Sequence, residues 1–374
     1  MRDILICTVG TSMVSNAENE KASPLFSAFR EGNIKGMTLA LLELKHDDRR
    51  CGAEINSIHS ILRSRYLTAK DKLLFFVSDT DAGRFTGQVL SDYYTHGKNE
   101  DSFPQAEYKV IEGLTDDSVW RFRNEGLRNL VRLISEKVKR YGSNRIMINA
   151  TGGYKAQISF AGMIGQALEI PVCYMHERFP EVIQLPPQPV ALDLTFWLDQ
   201  VDNFFDLEEG IAGSLAAFIE IDERFQSLID EVTVDNSTLV ALSPTGQLFH
   251  ESFLHQFERQ REAVLPKATD ITKDDKKIIF EDKNHGKHKG LEVQLKKVSA
   301  LPYVTRIYTH YYNPKLNEPC QFRKSVKGKN DQVEGIFSNA GATTKYDVMT
   351  TATNKRELSA CIADLNNLLD KGFL

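Results

Sequence analysis

The chain reads as an α/β protein. A doubly wound, mostly parallel sheet opens it, a central winged-helix-like helical module follows, and a small α+β domain closes it. Three observations predict this. Apolar runs that stop at glycine or polar turns alternate with helical periodicities through residues 1–195, as expected of strands covered on both faces. Four prolines then fall within "FPEVIQLPPQPVALD" (179–193), where the alternation ends. The charge also changes sign along the chain. Residues 266–374 hold 19 Lys/Arg against 13 Asp/Glu, whereas the remainder holds 27 against 38.

The elements follow in order. "ILICTVG" (4–10) is a buried parallel strand with a glycine stop. "IKGMTLALLELK" (34–45) and "EINSIHSILRSRYL" (54–67) have helical spacing. "KLLFFVSD" (72–79) is a second strand, "GRFTGQVLSDYYTH" (83–96) a helix, and "YKVIEGL" (108–114) a third strand. A long amphipathic helix over 118–142 ends at Gly142. "NRIMINA", "KAQISFAGMIGQALEI" and "PVCYMHER" then give strand, helix and strand. Residues 196–264 form the central module: "LTFWLDQVDNFFDL", "AGSLAAFIEIDERFQSLIDEV" and "GQLFHESFLHQFERQRE" read as helices, with a short strand and turn at "STLVALSPTGQ". Residues 265–374 begin with the polar linker "LPKATDITKDDKK" (265–277). A strand, a helix, four strands and a last helix follow, which predicts an antiparallel sheet. Trp120 and Trp197 fall on apolar helical faces and are expected in the core.

Composition narrows the class. No apolar run reaches the ~20 residues that span a bilayer, and "MRDILICTVG" enters a strand pattern without a signal-peptide profile. A cytoplasmic protein without membrane contact is the expectation. Cys7, Cys51, Cys173, Cys320 and Cys361 form no CxxC pair and read as free thiols. No metal and no cofactor are expected. Residues 276–329, with 13 basic against 4 acidic side chains, suggest contact with polyanions; a solvated lysine-rich surface is the competing reading.

Ligands of open parallel sheets bind beyond the C-terminal ends of the strands. Three turns there carry polar chemistry: "GTSM" (10–13), "SDTDAGR" (78–84) and "NATGGYK" (149–155). Gly152 and Gly153 let a ligand approach the backbone, and the following helix points its positive end there. Lys155 adds a cation, while Thr11, Ser12 and Thr151 add hydroxyls. The chain has neither GxGxxG nor GxxxxGK[ST], which disfavours NAD binding and P-loop hydrolysis. The bland alternative is that these residues only make tight turns.

"ILICTVGTS", "SDTDAGR" and "NATGGYKAQISFAGMIGQALEIPVCYMHERF" resemble the CARF domain, the Rossmann-like sensor of CRISPR systems, over roughly residues 1–195. The resemblance implies a homodimer that binds cyclic oligoadenylate, usually cyclic tetra-adenylate, as an allosteric activator. The ligand residues it implies are Gly10, Thr11, Ser12, Met13, Asp79, Thr80, Asp81, Arg84, Asn149, Thr151, Gly152, Gly153 and Lys155. Ser12 and Lys155 match the positions with which some members slowly cleave their own ligand.

The order of elements in the C-terminal domain resembles the RelE-type mRNA interferases, and the whole arrangement resembles the CARF–RelE effectors of type III CRISPR immunity. That implies metal-independent cleavage of mRNA in the ribosomal A site, with ribosome and mRNA as partners and contact through the ribosomal stalk as one route. The catalytic candidates are Arg306, His310, Arg323, Lys324, Lys327 and Arg356, with Lys355 beside the last. Even spacing puts Arg306 and His310 on one strand face. His285, His288, His310 and Tyr346 all stand as candidate general bases. For each of these residues, contact with RNA phosphate is the competing role.

Other output classes are weaker. A HEPN ribonuclease needs an Arg and a His separated by four to six residues, and Arg306 and His310 have three between them. A PD-(D/E)xK nuclease would use Asp282 and Glu292, but Gln294 stands where its lysine belongs. A transcriptional regulator would bind DNA through residues 196–262, which carry Asp199, Asp202, Asp206, Glu208 and Glu209, charges that oppose DNA contact. His285 and His288 lack further ligands at zinc spacing.

Overall fold

The computed structural model describes residues 2–188, 194–208, 223–226, 228–234, 237–280, 288–325 and 331–374. The chain divides into two compact units, Met1–Val190 with Ser243–Glu251, and Ala191–Leu242 with Ser252–Leu374. The central segment 196–264 is thus shared between them, and its helix Pro244–Val264 contributes to both.

In the first unit the strands are β1 (Ile4–Thr8), β2 (Lys72–Val77), β3 (Gln105–Val110), β4 (Ile146–Asn149), β5 (Val172–Tyr174) and β6 (Ile183–Leu185). Their spatial order is β3-β2-β1-β4-β5-β6. β1 to β5 run parallel, and β6 is antiparallel to β5. Strand alternation divides the core into two layers. Leu5, Cys7, Leu73 and Phe75 face one buried cluster with the helices Ala53–Arg63 and Asp81–Thr95. Ile4, Ile6, Leu74 and Phe76 face the other, with Arg128–Tyr141 and Lys155–Ala167.

Four expectations shift here. Two helices, Ser12–Asn19 and Pro24–Arg30, precede Ile34–Leu42. β3 lies three residues earlier than its apolar signal: it is an edge strand with mostly exposed side chains, while Ile111 and Leu114 drop into the core behind it. The long helix over 118–142 contains a π-helical stretch, Phe122–Leu127. Gly126 there packs so close that a Cβ would lie 2.6 Å from Leu114 Cα. Trp120, at the start of that helix, is 47% exposed rather than core, because the packed side begins at Phe122 and Leu127. Trp197 is fully buried and stacks on Phe253.

The second unit opens with the helices Leu194–Asp199 and Val201–Glu208. The hairpin of β7 (Ile229–Val234) and β8 (Ser237–Leu242) follows. A helix was expected through residue 232. The β-branched, alternating run Ile229–Val234 instead pairs across the hairpin, Ile229 opposite Leu242. Residues 212–222 and 227 of that expected helix lie outside the described residues.

The larger sheet comprises β9 (Lys277–Phe280), β10 (Val304–Asn313), β11 (Gln321–Lys324), β12 (Gln332–Asn339) and β13 (Ala342–Thr350), in the order β11-β12-β13-β10-β9. Its pairings are antiparallel except β9 with β10, which are parallel and joined through the helix Leu291–Ser299. The last helix, Lys355–Asp370, covers the β11 edge: Asn366 accepts from Phe322 N (2.7 Å) and donates to Phe322 O (2.7 Å). Asp202 accepts from Lys324 N at 3.1 Å on the same edge. Side chains thus occupy backbone groups that would otherwise template aggregation. All five cysteines are free. Among the described residues, no helix is long and apolar enough to cross a membrane.

Candidate functional site

The strand order of the first unit reverses between β1 and β4, and their C-terminal ends open the crevice where such sheets take ligands. Two glycine turns meet there. Thr8 Oγ1 donates to Gly152 O at 2.6 Å, and a Cβ on Gly10 would lie 2.8 Å from Gly153 N. Gly153 has φ 106°, a conformation that glycine adopts without strain.

Glu54, from the helix Ala53–Arg63, fills the space behind these turns. Its Oε1 accepts from Gly10 N at 2.7 Å, and a Cβ on Gly152 would lie 1.9 Å from that oxygen. Glu54 is 1% exposed. Burial pushes its carboxyl pKa up, while the bonds from Gly10 and Ser12 pull the other way. Its Oε2 has no hydrogen-bond partner among the described residues. The neutral form places a donor on that oxygen. Sequence reading missed Glu54 because a single acid in a helix's first turn reads as a favourable helix charge.

The expected ligand residues divide into three groups. Thr11 and Lys155 are exposed, while Gly10, Ser12, Thr151 and Gly153 are partly exposed at this edge. Ser12 Oγ accepts from Ala53 N at 2.9 Å, so it docks the Glu54 helix. A second group is internal. Met13 is fully buried in the core, because its side chain turns inward in the first turn of Ser12–Asn19; it offers a ligand only backbone. Asn149 is buried, donates to Ser57 Oγ (2.8 Å) and accepts from Thr151 Oγ1 (2.7 Å), which shapes the turn. Gly152 is buried as well.

The third group sits at the end of β2, beside β1. Thr80 caps the helix Asp81–Thr95 by accepting from Gly83 N. Arg84 donates to Asp79, which also accepts from Gly113 N at 3.1 Å and lies 3.6 Å from Arg121. Asp79 and Arg84 therefore complete each other, and Asp81 begins the helix.

The second unit offers a different kind of site. Tyr308, Asp347, Glu334 and Arg323 form one row of directly opposed positions across β10, β13, β12 and β11. Arg323 donates to Glu334 at 2.8 Å. His310 sits where the register of β10 on β13 slips. Its Nε2 lies 3.6 Å from Asp347 and 3.7 Å from Glu334, charge-pair distances without a hydrogen bond. Arg306 reaches the same face and donates to Tyr308 at 2.8 Å. The slip does not remove His310 from the Arg306 face, because its ring still meets the two acids. Glu334 and Asp347 are buried; each looks in sequence like an ordinary polar strand residue, so the cluster is legible only in the register.

Lys324 ends β11, and the exposed Lys355 and Arg356 begin the helix that leaves the neighbouring end of β13, so all three belong to one end of the sheet. Lys327, His285 and Asp282 lie outside the described residues, as does Glu209. His288 belongs to the opposite end. It is buried, with Thr344 Oγ1 at 2.7 Å and Asn339 Oδ1 at 3.1 Å on its two ring nitrogens, and burial lowers its pKa. Tyr346 is fully buried against Gly335 on the other sheet face, and burial raises its pKa. Neither has a free polar atom toward the Glu334 row. Glu292 pairs with Lys296, and Gln294 donates to Tyr346 OH.

Residues 49–188 match the family model of a CRISPR-associated protein, Cas_APE2256. The matched stretch includes the Glu54 helix, β2 to β6, and the turns at 78–84 and 149–155. No curated protein matches the chain. Among solved structures, the chain is similar to Can2 from Sulfobacillus thermosulfidooxidans in complex with cyclic tetra-adenylate, at 11% identity over 72% of this chain and 69% of that one, with a TM-score of 0.24. It is also similar to protein VC1899 from Vibrio cholerae, at 9% identity over 93% and 77%, again with a TM-score of 0.24.

Proposed function

We propose that the chain is an ancillary effector of type III CRISPR immunity. The first unit acts as a CARF sensor for cyclic oligoadenylate, with cyclic tetra-adenylate as the ring. The second unit acts as a RelE-type endoribonuclease that the ligand switches on. The observation that carries this reading is the location of the match to the CRISPR-associated family: it covers two of the three turns at the C-terminal ends of the strands and the helix that carries Glu54. An isologous dimer would present each turn twice to a ring of repeated phosphates. The exposed Val119 and Trp120, which follow the β3 turn at the same sheet edge, support such pairing.

In this reading Gly10, Thr11, Gly153 and Lys155 take the ligand phosphates. Ser12 and Lys155 are the pair for slow ring cleavage. In the second unit the mRNA 2′-oxygen attacks its own phosphorus, and the 5′-oxygen of the next nucleotide leaves. His310 handles a proton, held by Glu334 and Asp347, while Arg306, Arg323, Lys324, Lys327 and Arg356 neutralise the developing charge. The basic excess of residues 276–329 supports an RNA substrate on the ribosome.

The test is the chemistry of the cut ends. Cyclic tetra-adenylate is added to the full-length protein with translating ribosomes, and the mRNA fragments are analysed. Attack by the 2′-oxygen leaves a 2′,3′-cyclic phosphate and a 5′-hydroxyl. Ends carrying 3′-hydroxyl and 5′-phosphate would mean attack by water, as in a metal-dependent nuclease, and would overturn the RelE assignment.

A further inference from the structure

At the opposite edge of the first sheet from the glycine turns, three ligand-type atoms converge. His46 Nδ1 lies 3.2 Å from His59 Nδ1 and 2.9 Å from Asp101 Oδ2, and His59 Nδ1 lies 2.8 Å from the same oxygen. The three come from separate segments: the loop after Ile34–Leu42, the helix Ala53–Arg63, and the loop before β3. We infer that His46, His59 and Asp101 hold a divalent first-row transition cation, with Zn2+ the fitting occupant.

The geometry carries this. Zinc bonds of about 2.0–2.2 Å require ligand separations of about 3.0 Å at right angles and about 3.4 Å at tetrahedral angles. The three observed separations, 2.8 to 3.2 Å, match a facial arrangement of two imidazoles and one carboxylate. Among the described residues, this is the group of histidine, cysteine and acidic side chains whose ligand atoms close to within metal-binding range.

Supporting contacts fix two of the three ligands. His46 O accepts from Asn56 Nδ2 at 2.7 Å, and the His46 ring meets Tyr93 edge-on. Asp101 N donates to Asn99 Oδ1 at 2.9 Å, and Asn99 in turn donates to Tyr93 O. Such second contacts orient ligands around a metal. Three protein ligands leave coordination positions open, and His59 and Asp101 line a cavity with Leu62, Arg63, Leu67 and Lys70. The ion would tie both loops to the helix that presents Glu54 to the ligand edge. The inference does not depend on the sensor or ribonuclease assignment.

The test uses full-length protein stripped with a chelator and titrated with Zn2+ alone, read by calorimetry and by metal content after desalting. One ion per chain is expected in the wild type. Binding falls at least 10-fold in His59→Ala, His46→Gln and Asp101→Asn. Should a variant fail to fold, Co2+ added to the stripped wild type gives a variant-free readout: d–d absorption without thiolate charge transfer places the ion on nitrogen and oxygen ligands. Absence of stoichiometric binding, a thiolate band, or unchanged binding in folded variants each overturns the site.

Discussion

The two candidate sites are built from different materials. The β1/β4 edge is made of backbone: Gly10, Gly152 and Gly153 leave no room for a Cβ, and one buried carboxyl, Glu54, braces them. The β10–β13 face is made of side chains: His310, Glu334, Asp347, Arg323 and Arg306 project from strands whose backbone groups pair in the ladder, with His310 at a register slip. A backbone site recognises shape and phosphate, and fails when geometry changes. A side-chain site moves protons and charge, and fails when chemistry changes. The first therefore suits a sensor and the second a catalyst.

Substitutions that separate geometry from chemistry sharpen this contrast. His310→Asn should lower the ligand-activated cleavage rate by about 10²- to 10⁴-fold, the usual value of a proton-transferring group. Thermal unfolding and ligand affinity should be unchanged; a rate within threefold of wild type would remove His310 from the chemistry. Gly152→Ala should behave in the opposite way. Its methyl would meet Glu54 Oε1, and overpacking of this kind costs about 1–3 kcal/mol. Calorimetry should show ligand affinity falling at least tenfold while the fold of the second unit persists by circular dichroism.

A pH experiment probes the second unit's own edge. Burial pushes the Asp202 carboxyl up to about 6. Between about pH 4 and pH 6 the folded chain keeps a proton that the unfolded chain has lost, so this group's contribution to stability falls as pH rises through that window. Asp202→Asn keeps an acceptor for Lys324 N. It should flatten the dependence and add about 1–3 kcal/mol at pH 7, read by denaturant unfolding at both pH values. An effect of similar size is expected from Asn366→Ala, which leaves Phe322 N and O on the β11 edge without their side-chain partner and should cost about 1–3 kcal/mol. A larger loss would mean that the last helix docks chiefly through this residue.

The parallel sheet was legible because its central strands are continuous apolar runs, and the three turns were legible because glycines punctuate them. The edge strand β3 was misplaced because exposure removes the apolar signal. The hairpin strand Ile229–Val234 was hidden by its short length beside a helical pattern. At the sites, residues that touch only one another through the fold left no trace in sequence. Glu54 reaches Gly10 across 44 positions, and Glu334 meets Asp347 only through strand register. The cluster of His46, His59 and Asp101 has no motif spacing, so reading by motif predicted no metal.

The central claim is that the backbone site commands the side-chain site. The most direct measurement maps mRNA 5′ ends in a translating system, with and without cyclic tetra-adenylate, for wild type, Lys155→Ala and Arg356→Ala. The account predicts codon-phased cuts that require the ligand in wild type, need more ligand in Lys155→Ala, and vanish in Arg356→Ala while ligand binding survives. Cuts that appear equally without ligand, or no cuts with any cyclic oligoadenylate, would contradict it.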